Sequence, residues 1–215
     1  MDVFGPNWKD HDQKIRRYWQ AAVKPDDVVL VPGDISWALR LEEAIPDLEF
    51  VGSLPGRKLM LKGNHDYWWK SLSKVRASLP EGCEALQNDF VDAGFAVIAG
   101  TRGWLLPGSD FFVEGRDETA FEREVERLSL SLSAAAANAG GRPMVVMMHF
   151  PPSEDGRPTP FTERISASGA GLCVYGHLHG PAWPSCPDFD IDGVGYRLVS
   201  ADWLDFRPLE LRIEE

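Results

Sequence analysis

The sequence predicts an α/β fold (an α+β sandwich) in which two mixed β-sheets pack face to face and helices flank them. Three observations carry this expectation. Four short runs, VVLV (28–31), KLML (58–61), MVVMM (144–148) and LCVY (172–175), are apolar but for Lys58 and end at polar or glycine-rich segments. Such runs read as strands buried on both faces. The first half alternates helix-like and strand-like segments, which predicts parallel strands joined by right-handed crossovers. A long amphipathic stripe in the middle supplies a covering helix.

The elements follow in order. Ile15, Tyr18, Trp19 and Ala22 share one face, so a helix is expected from Lys9 to Val23, broken by Pro25 and followed by strand Val28–Val31. A second helix is expected over Leu39 to Phe50, shortened or kinked by Pro46. Strand Lys58–Leu61 and a helix from Asp66 to Leu79 complete the first half. Asp89–Val91 and Phe95–Ala99 flank Gly94 as a hairpin, and Pro107 to Glu114 is a loop. Phe121, Val125, Leu128, Leu132 and Ala135 form one stripe, predicting a helix over Glu118 to Asn138. Strand Met144–Met148, a Pro-rich loop to Pro160, a short helix near Phe161–Ala167 and strand Leu172–Tyr175 come next. From Val194 onward, Tyr196, Leu198, Leu209, Leu211 and Ile213 suggest closing antiparallel strands. With no repeat or long linker, residues 1–215 are expected to form a single domain.

Composition narrows the function. Hydrophobic residues make up 44% and charged residues 26%, the profile of a globular protein with a substantial core. The net charge of −11 argues against a surface that tracks nucleic acid. It leaves room for a small anionic substrate, because bound divalent cations reverse the local field. No run approaches the roughly 18 apolar residues of a membrane span. Cys83, Cys173 and Cys186 are widely spaced, with no C-x-x-C pair, and are read as reduced in a cytoplasmic protein.

Ligands of open α/β sheets bind beyond the carboxyl ends of the strands, and polar residues of ligand type stand there. Asp34 follows Gly33 on a tight turn, where its carboxylate can bridge two cations or cap the next helix. Asn64-His65-Asp66 sets an amide oxygen, an imidazole and a carboxylate in succession. His65 can donate a proton, and Asp66 can orient the His65 ring or cap a helix. His149 ends the third run. His177-Leu178-His179 places two imidazoles on one side of an extended segment, with glycines at both ends. Each of these has a bland reading as a hydrogen-bonded turn residue. Ligand types at the ends of four successive strands make the metal reading the stronger one. Arg102 can contact phosphate bidentately or serve at the surface. Trp68 and Trp69 follow the motif in a helix and are read first as packing, with a wall of the cleft as the alternative.

In order and spacing, Gly33-Asp34, Gly63-Asn64-His65-Asp66, His149 and Gly176-His177-Leu178-His179 resemble the calcineurin-like metallophosphoesterases, over residues 28 to 180. The resemblance implies a metallophosphoesterase fold with a dinuclear centre bridged by Asp34. One metal would be held by Asn64, His149 and His177, and the other by His179 with further ligands. His65 would be the catalytic histidine beside the scissile phosphate. The implied activity is hydrolysis of a phosphomonoester or phosphodiester with a small substrate. Two cations about 3.5 Å apart would activate water and clamp the phosphate. The mixed N and O ligands suit manganese, iron, zinc, cobalt or nickel.

The family pattern opens with D-x-H, and no aspartate of this chain is followed two positions later by histidine. Met1-Asp2-Val3-Phe4 falls where the loop after that strand belongs, so the first central strand and two ligands are expected to be absent from this chain. Two consequences are open. Upstream residues supply D-x-H in the natural protein, or the half-site binds one metal or none in a non-catalytic interaction module. For this chain alone the ligand count predicts weak turnover and one cation position better filled than the other.

Overall fold

The computed structural model describes residues 5–183 and 187–213. Two sheets are stacked between two layers of helix. The first sheet is parallel, with strands β1 (Val28–Val31), β2 (Arg57–Leu61) and β3 (Cys83–Leu86) side by side in that order. The second has six strands in the order β4-β5-β6-β7-β9-β8: β4 (Phe90–Asp92), β5 (Val97–Thr101), β6 (Met144–Met148), β7 (Leu172–Tyr175), β9 (Val194–Leu198) and β8 (Phe189–Ile191). Its four central strands are parallel, and β4 and β8 are antiparallel edges. This is the two-sheet sandwich that the apolar runs imply.

The strands' two-residue alternation divides the apolar residues among three cores. Leu59 and Leu61 of β2, Leu86 of β3, Ile98 of β5, and Val145 and Met147 of β6 fill the space between the sheets. The opposite side chains of β6, Met144, Val146 and Met148, face α4 (Glu118–Ala139) and α5 (Pro160–Ala167). Met60 points the other way, toward α2 (Leu41–Gly52) and α3 (Leu72–Ser78). An unbroken apolar run is therefore what a strand with two buried faces requires. The α4 stripe Phe121, Val125, Leu128, Leu132 and Ala135 is wholly buried, and the helix stops at Gly140, whose φ of 59° suits glycine.

Several expectations need correction. Helix α2 starts at Leu41 because the Glu43 carboxylate accepts the amides of Leu39 and Arg40, holding those two residues ahead of the first turn. It then runs through Pro46 to Gly52 without being shortened. The helix expected from Asp66 begins only at Leu72. Asp66 faces back into the preceding loop, and Lys62 Nζ donates to the Trp69 carbonyl at 2.6 Å, so residues 66–71 form turns. Trp68 and Trp69 are buried in the α2–α3 core, as packing residues, but outside any helix. Strand β3 carries too few apolar residues to stand out. At the C-terminal end, β9 is parallel to β7, and its antiparallel partner is β8, which precedes it. Residues 207–213 form no strand, although Leu211 and Ile213 pack against the inter-sheet core.

The first helix, α1, spans His11–Ala22, with Trp19 buried. Cys83 and Cys173 are buried free thiols; Cys186 and Met1–Phe4 lie outside the described residues. No helix among the described residues is long and apolar enough to cross a membrane.

Candidate metal centre

The loops after β1 and β2 meet backbone to backbone, and glycine makes this possible. A Cβ on Gly63 would lie 2.0 Å from Asp34 Oδ1 and 2.3 Å from its amide nitrogen. A Cβ on Gly33, whose φ is 105°, would lie 2.6 Å from the Gly63 nitrogen and 2.8 Å from His149 Nδ1. Asp34 itself takes a positive φ of 56°, which turns its carboxylate toward Asn64 and His65. Oδ1 of Asp34 accepts the His65 amide at 2.8 Å.

Asp66 holds this crossing together from below. It is fully buried, and its carboxylate accepts the amides of Gly63, Asp34, Ile35 and Ser36 at 2.8–3.0 Å and the Trp68 indole N–H at 3.0 Å. Burial raises its pKa to about 6, against the pull of those donors. The expected contact with the His65 ring is absent, and α3 begins too late to be capped by it. Asp66 therefore acts on the loops and not on the reacting groups, because all its acceptor positions are committed to backbone and indole N–H groups.

Above it, four donor atoms from three loops and one strand end converge. His149 Nδ1 donates to the Pro32 carbonyl at 2.8 Å, which leaves Nε2 with a lone pair facing inward. That Nε2 lies 2.7 Å from Asn64 Oδ1, 3.2 Å from His177 Nδ1 and 3.6 Å from Asp34 Oδ1. His177 Nδ1 is 2.9 Å from Asn64 Oδ1. Asp34, His149 and His177 form a cluster whose ligand atoms all lie within 4.8 Å of one another. Burial lowers the pKa of His149 and of His177 to about 3, helped by the Arg102 charge at His149 and by His149 at His177, so both rings are neutral at neutral pH.

Four electron-pair donors thus share at most one proton, on His177. Such crowding is unfavourable unless a positive charge sits among them. Donors held at about 2.1 Å from one transition ion and at right angles lie about 3 Å apart, which the spacing of Asn64, His149 and His177 matches. The donor set fits a divalent cation.

His179 stands apart from this cluster. The G-H-x-H segment is not extended: His177 has a φ of 72°, which breaks the two-residue alternation and sends the two rings to different neighbours. Phe150 packs against the His177 ring at 4.2 Å, tilted by 42°. His179 Nδ1 instead meets Asp202 Oδ1 at 2.7 Å, and Trp8 stands edge-on to its ring at 5.3 Å. Asp202, buried, also accepts the Gly180 amide at 3.0 Å. Burial raises its carboxyl, but the bonds from His179 and Gly180 outweigh this and hold the pKa below its ordinary value. Nothing in the local sequence Ser200-Ala201-Asp202 marks this aspartate, which approaches His179 only through the turn after β9.

His65 points to the open side. Its backbone is tied to Asp34, its Nδ1 lies 3.3 Å from the Tyr67 hydroxyl, and Trp37 lies over its ring at 5.0 Å. Arg102 leaves the end of β5; its carbonyl accepts the amides of His149 and Phe150. Its guanidinium lies over Trp104 at 4.6 Å and 3.8 Å from the buried Glu124, and its buried Nε has no hydrogen-bond partner. Burial lowers its pKa from the ordinary arginine value.

Comparison with known proteins bears on the family and the fold. A family model for calcineurin-like phosphoesterases matches residues 5–181. The gene 66 protein of Mycobacterium phage L5 is 36% identical over 58 residues, which are 27% of this chain and 28% of that protein, so the match spans under a third of that relative's length. Among solved structures, the phosphopantetheinyl hydrolase of Mycobacterium tuberculosis is similar in fold. The TM-score is 0.51 at 17% identity, over 82% of this chain and 79% of that one.

Proposed function

The chain belongs to the calcineurin-like phosphoesterase family, and from that premise we propose that it hydrolyses a small phosphomonoester or phosphodiester with the aid of a divalent transition metal. One observation carries the reading: Asn64 Oδ1, His149 Nε2, His177 Nδ1 and Asp34 Oδ1 converge with almost no protons to share. These four residues would hold the first cation. Asp34, at the border of the cluster, and His179 are this chain's contribution to a second, the position expected to fill less readily. When bound, divalent cations of this kind supply Lewis acidity, neutralising phosphoryl oxygens and activating the attacking water.

The protein groups do the rest. His149 is kept in its ligand tautomer by Pro32, and Asp66 fixes the loops that carry Asp34 and Asn64. The Tyr67 hydroxyl lies 3.3 Å from His65 Nδ1 and holds that side of the ring, which leaves Nε2 for the substrate. As water forms the new P–O bond and the ester P–O bond breaks, a His65 ring carrying protons on both nitrogens would pass the Nε2 proton to the leaving oxygen and be left as neutral imidazole, and the proton released by the attacking water restores it. Arg102, whose carbonyl accepts the amides of His149 and Phe150, would be the residue to contact a phosphoryl oxygen in this reading.

Metal analysis after equilibration with manganese, with assay against a panel of phosphomonoesters and phosphodiesters, tests the proposal. We expect at least one ion per chain and metal-dependent release of phosphate or of a monoester. A chain that binds no divalent ion would overturn the proposal. One tightly held ion without turnover would favour a second reading, a non-catalytic interaction module, which the separation of His179 from the cluster supports.

A further inference from the structure

Beside the proposed proton donor stand two aromatic rings whose faces the hydrolytic step does not use. Trp37 overlies the His65 ring at 5.0 Å with a tilt of 31°, and Tyr67 stands edge-on to it at 6.0 Å and 87°. Both are open to solvent, Trp37 at 39% and Tyr67 at 49%. Elsewhere the same stretch of chain buries its indoles. Trp68 and Trp69, next to Tyr67, are 2% and 1% exposed, with both indole N–H groups bonded. Two large rings left at the mouth of a polar site keep apolar surface in water, a feature of ligand-binding surfaces.

We propose that Trp37 and Tyr67 form a specificity wall for a planar aromatic ring carried on the leaving-group side of the substrate, as in a nucleoside or aryl phosphoester. This rests on the phosphoesterase reading above, because it takes His65 as the group facing the leaving oxygen. A flat ring entering beside His65 extends the existing Trp37–His65 stack and covers the exposed indole. Aromatic faces are sequence-tolerant platforms for bases, and offset or edge-on packing is the geometry such rings prefer. The acidity of the chain as a whole, −11, disfavours a long polyanion at this wall and fits one small esterified ring.

Adenosine 5′-monophosphate and ribose 5-phosphate differ only by the base, so their ratio isolates the wall. The manganese-loaded chain is expected to show a kcat/KM about tenfold or more higher for the nucleotide. Trp37→Ala is expected to cut that ratio at least fivefold, Trp37→Phe to restore much of it, and Tyr67→Phe to keep it while lowering both rates. Calorimetric titration with adenosine and with ribose repeats the comparison without metal or turnover. Preference for adenosine that vanishes in Trp37→Ala supports the wall even where hydrolysis fails, so the two proposals fail separately. Equal handling of the two compounds by the unmodified chain, or equal losses for both in Trp37→Ala, would mean that Trp37 merely steadies His65 and would overturn the inference.

Discussion

The two histidines of His177-Leu178-His179 are two residues apart, yet they belong to differently built regions. His177 joins a cluster set by the ends of parallel strands, where Gly33 and Gly63 press two loops together and Asp66 ties five N–H groups beneath them. His179 is held from outside the strand ends, by Asp202 in the turns after β9 and by Trp8 before α1. The first region is over-determined: each ligand is positioned by neighbours that are themselves buried and bonded. The second draws, among the described contacts, on a carboxylate and an indole ring from outside the strand ends. Strand ends make a rigid half-site, and turns from distant parts of the chain make an adjustable one.

The sharpest way to break this contrast is to remove the staple. Asp66→Ala strands five N–H donors in a buried loop crossing, at a cost of about 1–3 kcal/mol for each that stays unsatisfied. We expect a loss of at least about 4 kcal/mol and a melting temperature lower by about 10 °C, with cation binding abolished. A scan showing a shift under about 2 °C would mean that the loops are held by something else. Gly63→Ala comes next. Its Cβ would lie 2.0 Å from Asp34 Oδ1, so loop or carboxylate must move, and overpacking of this kind costs about 1–3 kcal/mol. Because the clash strikes a ligand, manganese affinity should fall more than stability does, and calorimetry set beside thermal melts reads both. His149→Ala removes one donor and leaves the Pro32 carbonyl without its buried partner. A drop in cation affinity of about 100-fold is expected, with only about 1–2 kcal/mol of stability lost. Unchanged affinity in that variant would show that the cluster is not where the ion binds.

The difference between the regions also explains how much is legible in the residues alone. Strands β2, β6 and β7 are plain because each is buried on both faces and so shows little polar alternation; β1, a half-buried edge strand, is plain because all four of its residues are apolar, and α4 because its stripe has one buried face. The residues that follow those strands are legible for the same reason, since a strand end fixes where the next side chain goes. Cys83–Leu86 is harder to see: four residues with a half-exposed glutamate carry little pattern. The late start of α3 is hidden because the choice between helix and turn at Asp66 is made by the amides of residues 34–36, some thirty positions away. Alternation misleads at His177, where a single positive φ overrides it. Asp202 has no local signature at all, since its meaning comes only from its meeting with His179.

Asp202 also gives the smallest expected effect and the finest test of the contrast. Asp202→Asn keeps the shape and one acceptor oxygen but removes the charge that holds His179 Nδ1 and the Gly180 amide. A charge-assisted bond of this kind contributes about 1.5–3 kcal/mol, part of which the amide retains, so stability should fall by about 1 kcal/mol. If His179 serves a second cation, the orienting carboxylate matters in the way outer partners of ligands do, and the weaker of two binding steps should lose about tenfold in affinity. The tighter step, made by Asn64, His149 and His177, should be unaffected, because none of its atoms touches Asp202. A titration in which both steps weaken together would show that the two regions are one cooperative site, and the distinction between a rigid half and an adjustable half would have to be given up.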